Sequence, residues 1–85
     1  MLANKAHEAI SSNVARILRD ERLKQHLSME ALAKRAGLSQ AMISFVEREI
    51  RNPSLDTLLR MSAVLGVHLD EVIRRARRAT ARKRV

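Results

Sequence analysis

Residues 28 to 48 read SMEALAKRAGLSQAMISFVER, and this stretch decides the fold. Ser28 precedes a helical pattern as an N-cap, a position where a hydroxyl accepts from a free backbone amide of the first turn. Glu30 sits in that turn and suits the positive helix end. Ala31 stands where a Glu would complete a capping box, so the reciprocal bond is missing. Leu32, Ala33 and Ala36 share one helical face. Gly37 then suits the left-handed residue that closes a helix. Two residues later Ser39 is a second N-cap, for a helix from Gln40 to about Arg48 whose inner residues are Ile43 and Val46. Only Gly37, Leu38 and Ser39 join the two helices, so their angle is fixed, with Leu38 able to plug the corner. A helix, a short Gly-containing turn and a second helix together make a unit used to read duplex DNA.

The flanking sequence supplies three more helices. A first helix is expected from Ser11 or Ser12 to Gln25, with Val14, Ile17 and Leu18 on one face. Leu23 lies off that stripe, and residues 1–10 are either a helical lead-in or a frayed end, with Ile10 as their clearest anchor. After a loop from Glu49 to Pro53, Ser54 caps a fourth helix with Asp56 in its first turn and Gly66 at its end. Its Leu55, Leu58, Leu59 and Ser62 or Ala63 divide between core and helix–helix contacts. His68 precedes a fifth helix, which has Asp70 and Glu71 at its positive end and Leu69, Val72, Ile73 and Ala76 as its apolar stripe. The expected architecture is all-α, with five helices: a domain over residues 11–79, the lead-in before it, and a basic tail over 80–85.

Composition agrees. A chain of 85 residues is one domain with a modest core, so a partner subunit would add to its stability. One aromatic residue (Phe45), two Gly and one Pro favour helices over a sheet. The absence of cysteine excludes disulfides and thiolate metal sites and fits a cytoplasmic protein. No apolar run is long enough to span a bilayer, and the N-terminus lacks a signal-peptide pattern. His7, His26 and His68 are scattered, with no metal-ligand spacing, and no nucleophile or phosphate loop is present. No catalytic residue, cofactor or metal is therefore expected.

The net charge of +8 is unevenly placed. Residues 1–73 hold ten Lys or Arg against nine Asp or Glu, whereas residues 74–85 hold Arg74, Arg75, Arg77, Arg78, Arg82, Lys83 and Arg84 with no acid. Such a block attracts polyanions, and without a bulky apolar face it does not suit a membrane surface.

The motifs LRDERLKQHLSMEALAKRAGLSQAMISFVE and RNPSLDTLLRMSAVLGVHLDEVI resemble those of the Cro/CI-like, or Xre-type, helix-turn-helix family. The resemblance runs from about Ile17 to Ile73. It implies a five-helix, lambda-repressor-like fold and sequence-specific binding of double-stranded DNA by a homodimer on a near-palindromic operator. Carried over by position, Arg22 would pair with Glu47, and Gln40, Ala41, Ser44 and Phe45 would face base edges. Lys34, Arg48 and Arg51 flank the reading helix and would contact phosphates. The resemblance also places the dimer interface near the fourth and fifth helices, with Leu69, Ile73 and Ala76 as contributors.

Four positions depart from the family pattern. Phe45 replaces a polar or basic residue and could meet a thymine methyl, meet a partner or fold back on the domain. Glu49 stands where Gly often leaves the third helix with positive φ, so either that helix runs longer or the loop takes another path. Met29 replaces a glutamine that can reach a phosphate. His26 falls where the family often has a turn glycine. A protein-interaction module, or an antitoxin-type autoregulator with a protein partner, is the alternative on the same scaffold.

Overall fold

The computed structural model describes residues 5–82, which form five helices: α1 (Lys5–Lys24), α2 (Met29–Ala36), α3 (Gln40–Glu47), α4 (Leu55–Leu65) and α5 (Leu69–Arg82). The expected start at Ser11 or Ser12 is too late. Helix α1 already begins at Lys5, and Ile10 packs against the core from within it. Helix α5 likewise runs through residues 80–82, so the first part of the basic tail is helical. The remaining lead-in residues 1–4 and tail residues 83–85 lie outside the described residues.

Each helix contributes one large, fully buried side chain to a single core: Leu18, Leu32, Ile43, Met61 and Val72. Burying such a side chain contributes about 1.5–3 kcal/mol relative to leaving it in water. Around this core α1 packs against α3, α4 and α5, α2 packs against α3 and α4, and α4 also meets α5. The largest of these contacts joins α1 to α5. There the buried Asn13 amide donates to the Ala76 carbonyl (3.3 Å) and to Thr80 Oγ1 (2.9 Å), and Thr80 Oγ1 donates in turn to the same carbonyl (3.0 Å).

Two apolar assignments need correction. Leu69 and Ala76 are core residues, 8 % and 0 % exposed, so neither can form a dimer surface, and Ile73 is partly buried beside them. On α4 the inner face is Thr57, Met61, Ser62 and Leu65, while Leu55 and Leu59 point outward, 63 % and 48 % exposed. The helix is apolar nearly all round, so periodicity alone does not select a face. A threonine can occupy the inner face because the Ser54 hydroxyl donates to its Oγ1 at 3.0 Å.

Helices α1 to α4 end in the same way. In each, a residue one or two positions past the helix has positive φ, its N–H donates to a carbonyl three residues back, and the next N–H donates five residues back. Those residues are His26 (φ 58°), Gly37 (71°), Glu49 (59°) and Gly66 (73°). The long bonds are Leu27 N–H to Arg22 O, Leu38 to Ala33, Ile50 to Phe45 and Val67 to Ser62, at 2.9–3.1 Å. This is the Schellman closure, which satisfies carbonyls the helix leaves open. Helix α3 therefore neither lengthens nor reroutes at Glu49, as the sequence suggested. Glu49 adopts the left-handed conformation that a glycine would take there.

A left-handed conformation costs a residue with Cβ roughly 1–2 kcal/mol. We expect His26→Gly and Glu49→Gly each to stabilise the protein, by about 0.5–1 kcal/mol after the added flexibility of the unfolded chain. Gly37→Ala should destabilise it by about 1–2 kcal/mol, since a Cβ there would also come 3.0 Å from Arg60 Nη1. Urea unfolding midpoints read all three.

Candidate nucleic-acid interface

Helix α3 is short, and three features hold it in place. The Ser39 side chain accepts from the Met42 amide at 3.0 Å, as Ser28 does from Ala31 on α2 and Ser54 from Thr57 on α4. Ile43 and Val46 are buried against the core. Glu47, the last residue of α3, is buried under Arg22 of α1, their side chains 1 % and 7 % exposed.

The Arg22 guanidinium meets Glu47 as a fork. Its Nε donates to Oε2 at 2.7 Å and its Nη2 to Oε1 at 2.9 Å. Its Nη1 donates to the Leu27 carbonyl at 2.8 Å. One side chain thus joins α1, the turn after it and α3. The hydrogen bonds to Glu47 raise the Arg22 pKa above its ordinary value; burial opposes this and the Glu47 charge adds to it. The guanidinium therefore stays charged at any pH at which the domain would work.

The α2–α3 turn has its own clamp. Arg60 of α4 donates from Nη1 to the Ala36 carbonyl at 3.2 Å, placing a cation at the negative end of α2. Asp56 accepts from Arg60 Nε at 2.8 Å and aims the side chain. Gln25 donates from Nε2 to the Leu65 carbonyl at 2.7 Å, tying the end of α1 to the end of α4. Nothing local in the sequence singles out Gln25 or Asn13, and Arg60 stands out only by its distance from Asp56. Only the Asp56–Arg60 spacing of four residues carried a local signal, because every other partner is remote in the chain.

Away from the buried residues, Gln40 and Ala41 in the first turn are exposed, and Ser44 and Phe45 are half-buried. The Phe45 ring is not bare: the Arg51 guanidinium from the following loop lies over it, 4.7 Å from the centroid. Such stacking leaves the guanidinium N–H edge free to donate. Phe45 and Arg51, placed separately as a base reader and a phosphate contact, therefore form one unit. Lys34 on α2 and Arg48 after α3 are exposed. Met29 is partly buried and packs against the core.

Among the described residues, no cluster of His, Cys, Asp or Glu could hold a metal ion, and no helix is long and apolar enough to cross a membrane. Every buried side-chain nitrogen and oxygen in the described part has a hydrogen-bond partner.

A family profile described as Helix-turn-helix matches residues 18–72. An uncharacterized HTH-type transcriptional regulator of Mycobacterium tuberculosis, found in two strains, is 39 % identical over 59 residues, covering 69 % of this chain and 42 % of the relative. This chain thus spans about two fifths of the length of those relatives. An uncharacterized HTH-type transcriptional regulator of Sinorhizobium fredii is 38 % identical over 64 residues, covering 75 % of this chain and 78 % of the relative.

Removing one partner of a buried pair leaves the other charge stranded. Arg22→Ala or Glu47→Ala should each cost about 3–5 kcal/mol, a large part of a small domain's stability. The apolar double variant Arg22→Met/Glu47→Leu should lose less than either single change, because neither charge remains. Chemical denaturation of the three variants gives the order.

Proposed function

The chain belongs to the helix-turn-helix family, and on that premise we propose that it is a Cro/CI-like transcriptional regulator that reads duplex DNA through α3. The observation that carries this reading is the division of α3 into two sides. Ile43, Val46 and Glu47 are locked into the domain, while Gln40, Ala41 and the Ser44–Phe45 edge are available to a groove. A short helix held this way presents side chains at fixed positions, which base readout requires.

In the proposed complex Gln40 forms a paired hydrogen bond with an adenine edge, Ser44 bonds a base edge, and the Ala41 methyl meets a thymine methyl. Phe45 adds an apolar contact and carries Arg51 toward the backbone. Lys34, Arg48 and Arg51 contact phosphates, positioning the protein without choosing sequence. The α2 N-terminus, with its free amides, takes over the phosphate contact that Met29 cannot make.

A homodimer on a near-palindromic operator completes the proposal, with the two α3 helices about 34 Å apart in successive major grooves. Support for it comes from α4. Leu55 and Leu59 are exposed on one side of the helix, just beyond the loop that carries exposed Ile50. With Leu69 and Ala76 inside the core, this outward side of α4 takes over the interface role.

Selection of bound sequences from a random duplex library, followed by anisotropy titration, tests the reading. Gln40→Ala should weaken binding to the selected site by about 1–3 kcal/mol and relax preference at one base position. Lys34→Gln should weaken all duplexes alike and flatten the log–log salt dependence by about one. A protein that selects no site over random duplex, or that remains a strict monomer on DNA by sedimentation, would overturn the corresponding half of the proposal.

A further inference from the structure

Much of the positive charge is not on the reading face. Residues 74–85 hold seven Lys or Arg and no acid, and five of these arginines lie on α5, beyond the Asp70 and Glu71 of its first turn. Successive residues turn by about 100°. Arg74 and Arg78 therefore fall on the side of α5 opposite Val72 and Ala76, which are fully buried, with Arg77 on one flank and Arg75 on the other, toward α1. All four are exposed. Their charge is only partly matched. Arg74 donates to Glu71 at 2.8 Å, and Arg75 lies 3.9 Å from Glu21, which Lys24 also contacts at 3.2 Å. Neither Arg77 nor Arg78 forms a salt bridge within the described residues.

Helix α5 packs against α1 and α4, whereas α3 packs against α1 and α2. The arginine face is therefore built on a different helix from the reading face, although Val46 of α3 and Ile73 of α5 line one cleft.

Chemistry selects the occupant. Among the described residues, the large apolar side chains that are exposed are Leu23, Ile50, Leu55 and Leu59, none of them on α5. A protein interface needs apolar or aromatic anchors at its centre, and an interfacial membrane helix needs a bulky apolar face. A duplex backbone needs neither. Arg74 and Arg78 are one turn apart, about 6 Å along the helix. That is close to twice the roughly 3.4 Å axial spacing of phosphates along one strand. Guanidinium groups bind phosphate oxygens through paired N–H donors, which a solvated row of lysines would not do as well. Between α1 and α5, Arg75 and Arg78 also border a shallow groove of about 380 Å3 with Ile17, Glu71 and Ala79, open enough to admit a phosphate.

We propose that the arginine face of α5 is a second duplex-binding surface, indifferent to sequence, that holds a second double-stranded nucleic acid while α3 faces the first. Only the bridging step rests on the function proposed above. The α5 surface itself does not.

The test uses the full chain, isotope-labelled, titrated with a short random-sequence duplex at about 0.15 M salt, where loose long-range attraction is screened. Arginine Nε–Hε and backbone amide resonances are followed. The expected result is a saturable shift of the Arg74, Arg75 and Arg78 signals alongside those of α3. In Arg74→Gln/Arg75→Gln/Arg78→Gln the α5 shifts should vanish and the α3 shifts persist. In parallel, protein bound to an immobilised duplex should capture a second labelled duplex, and the triple variant should capture about ten-fold less or lower. Unmoved α5 signals would overturn the proposal whatever α3 does. Movement of α5 with α3 silent would uphold the second surface and refute the reading helix. Movement of both without capture, or capture undiminished in the triple variant, would refute bridging through α5. Because the wild-type shifts decide the first question alone, the test stands even if the triple variant folds poorly.

Discussion

The buried fork between Arg22 and Glu47 is the constraint around which the rest is arranged. Helix α3 is eight residues long, too short to persist alone, since an isolated helix of that length does not recover its nucleation cost. Its conformation is therefore conferred by what it packs on. Ile43 and Val46 supply non-directional burial, which would tolerate rotation about the helix axis. The two parallel N–H···O bonds from Arg22 do not tolerate it, because a planar guanidinium and a planar carboxylate match in one orientation. The third donor, to the Leu27 carbonyl, extends the same constraint to the turn that launches α2. A buried ion pair is a poor source of net stability, but it is a good source of register. Register is what a helix needs if its outer side chains are to meet partners at fixed positions.

Repetition of one helix ending gives the domain its compactness. Four successive helices close with the same pair of hydrogen bonds and the same left-handed residue. Each closure reverses the chain within about three residues and sends an apolar side chain (Leu27, Leu38, Ile50 or Val67) to follow it. Three of these four lie partly buried against the core, and Ile50 is left half in solvent. The exception falls at the exit from α3, beside the Phe45–Arg51 stack. There the domain leaves apolar surface open where the others use it for packing.

Charge and apolar surface are also segregated. Among the described residues, the arginine-rich outer face of α5 carries no exposed large apolar side chain of its own, and the exposed leucines of α4 lie on a different helix. Electrostatic attraction and apolar contact can then serve different partners without competing for the same side chains.

The sequence by itself determined the helix count, the three serine caps, the two glycine ends, the three-residue α2–α3 turn and the buried side of α3. Those features depend on residues close together in the chain, whose backbone preferences act locally. The pairing of Arg22 with Glu47 was legible only through likeness to a family, since nothing local at either residue names the other. Tertiary structure decided what local signals leave open. It drew residues 5–10 into α1, because α5 lies alongside to pack against them. It turned Thr57 inward and Leu55 and Leu59 outward on a helix whose apolar residues point nearly all round. It forced Glu49 and His26 into a conformation that neither residue prefers, because the carbonyls at the ends of α3 and α1 had to be satisfied and the next residue had to turn back. And it gave α3 its orientation: a helix of eight residues carries its own caps and apolar face in its sequence, but the rotation that aims Gln40 and Ser44 outward comes from an arginine on another helix.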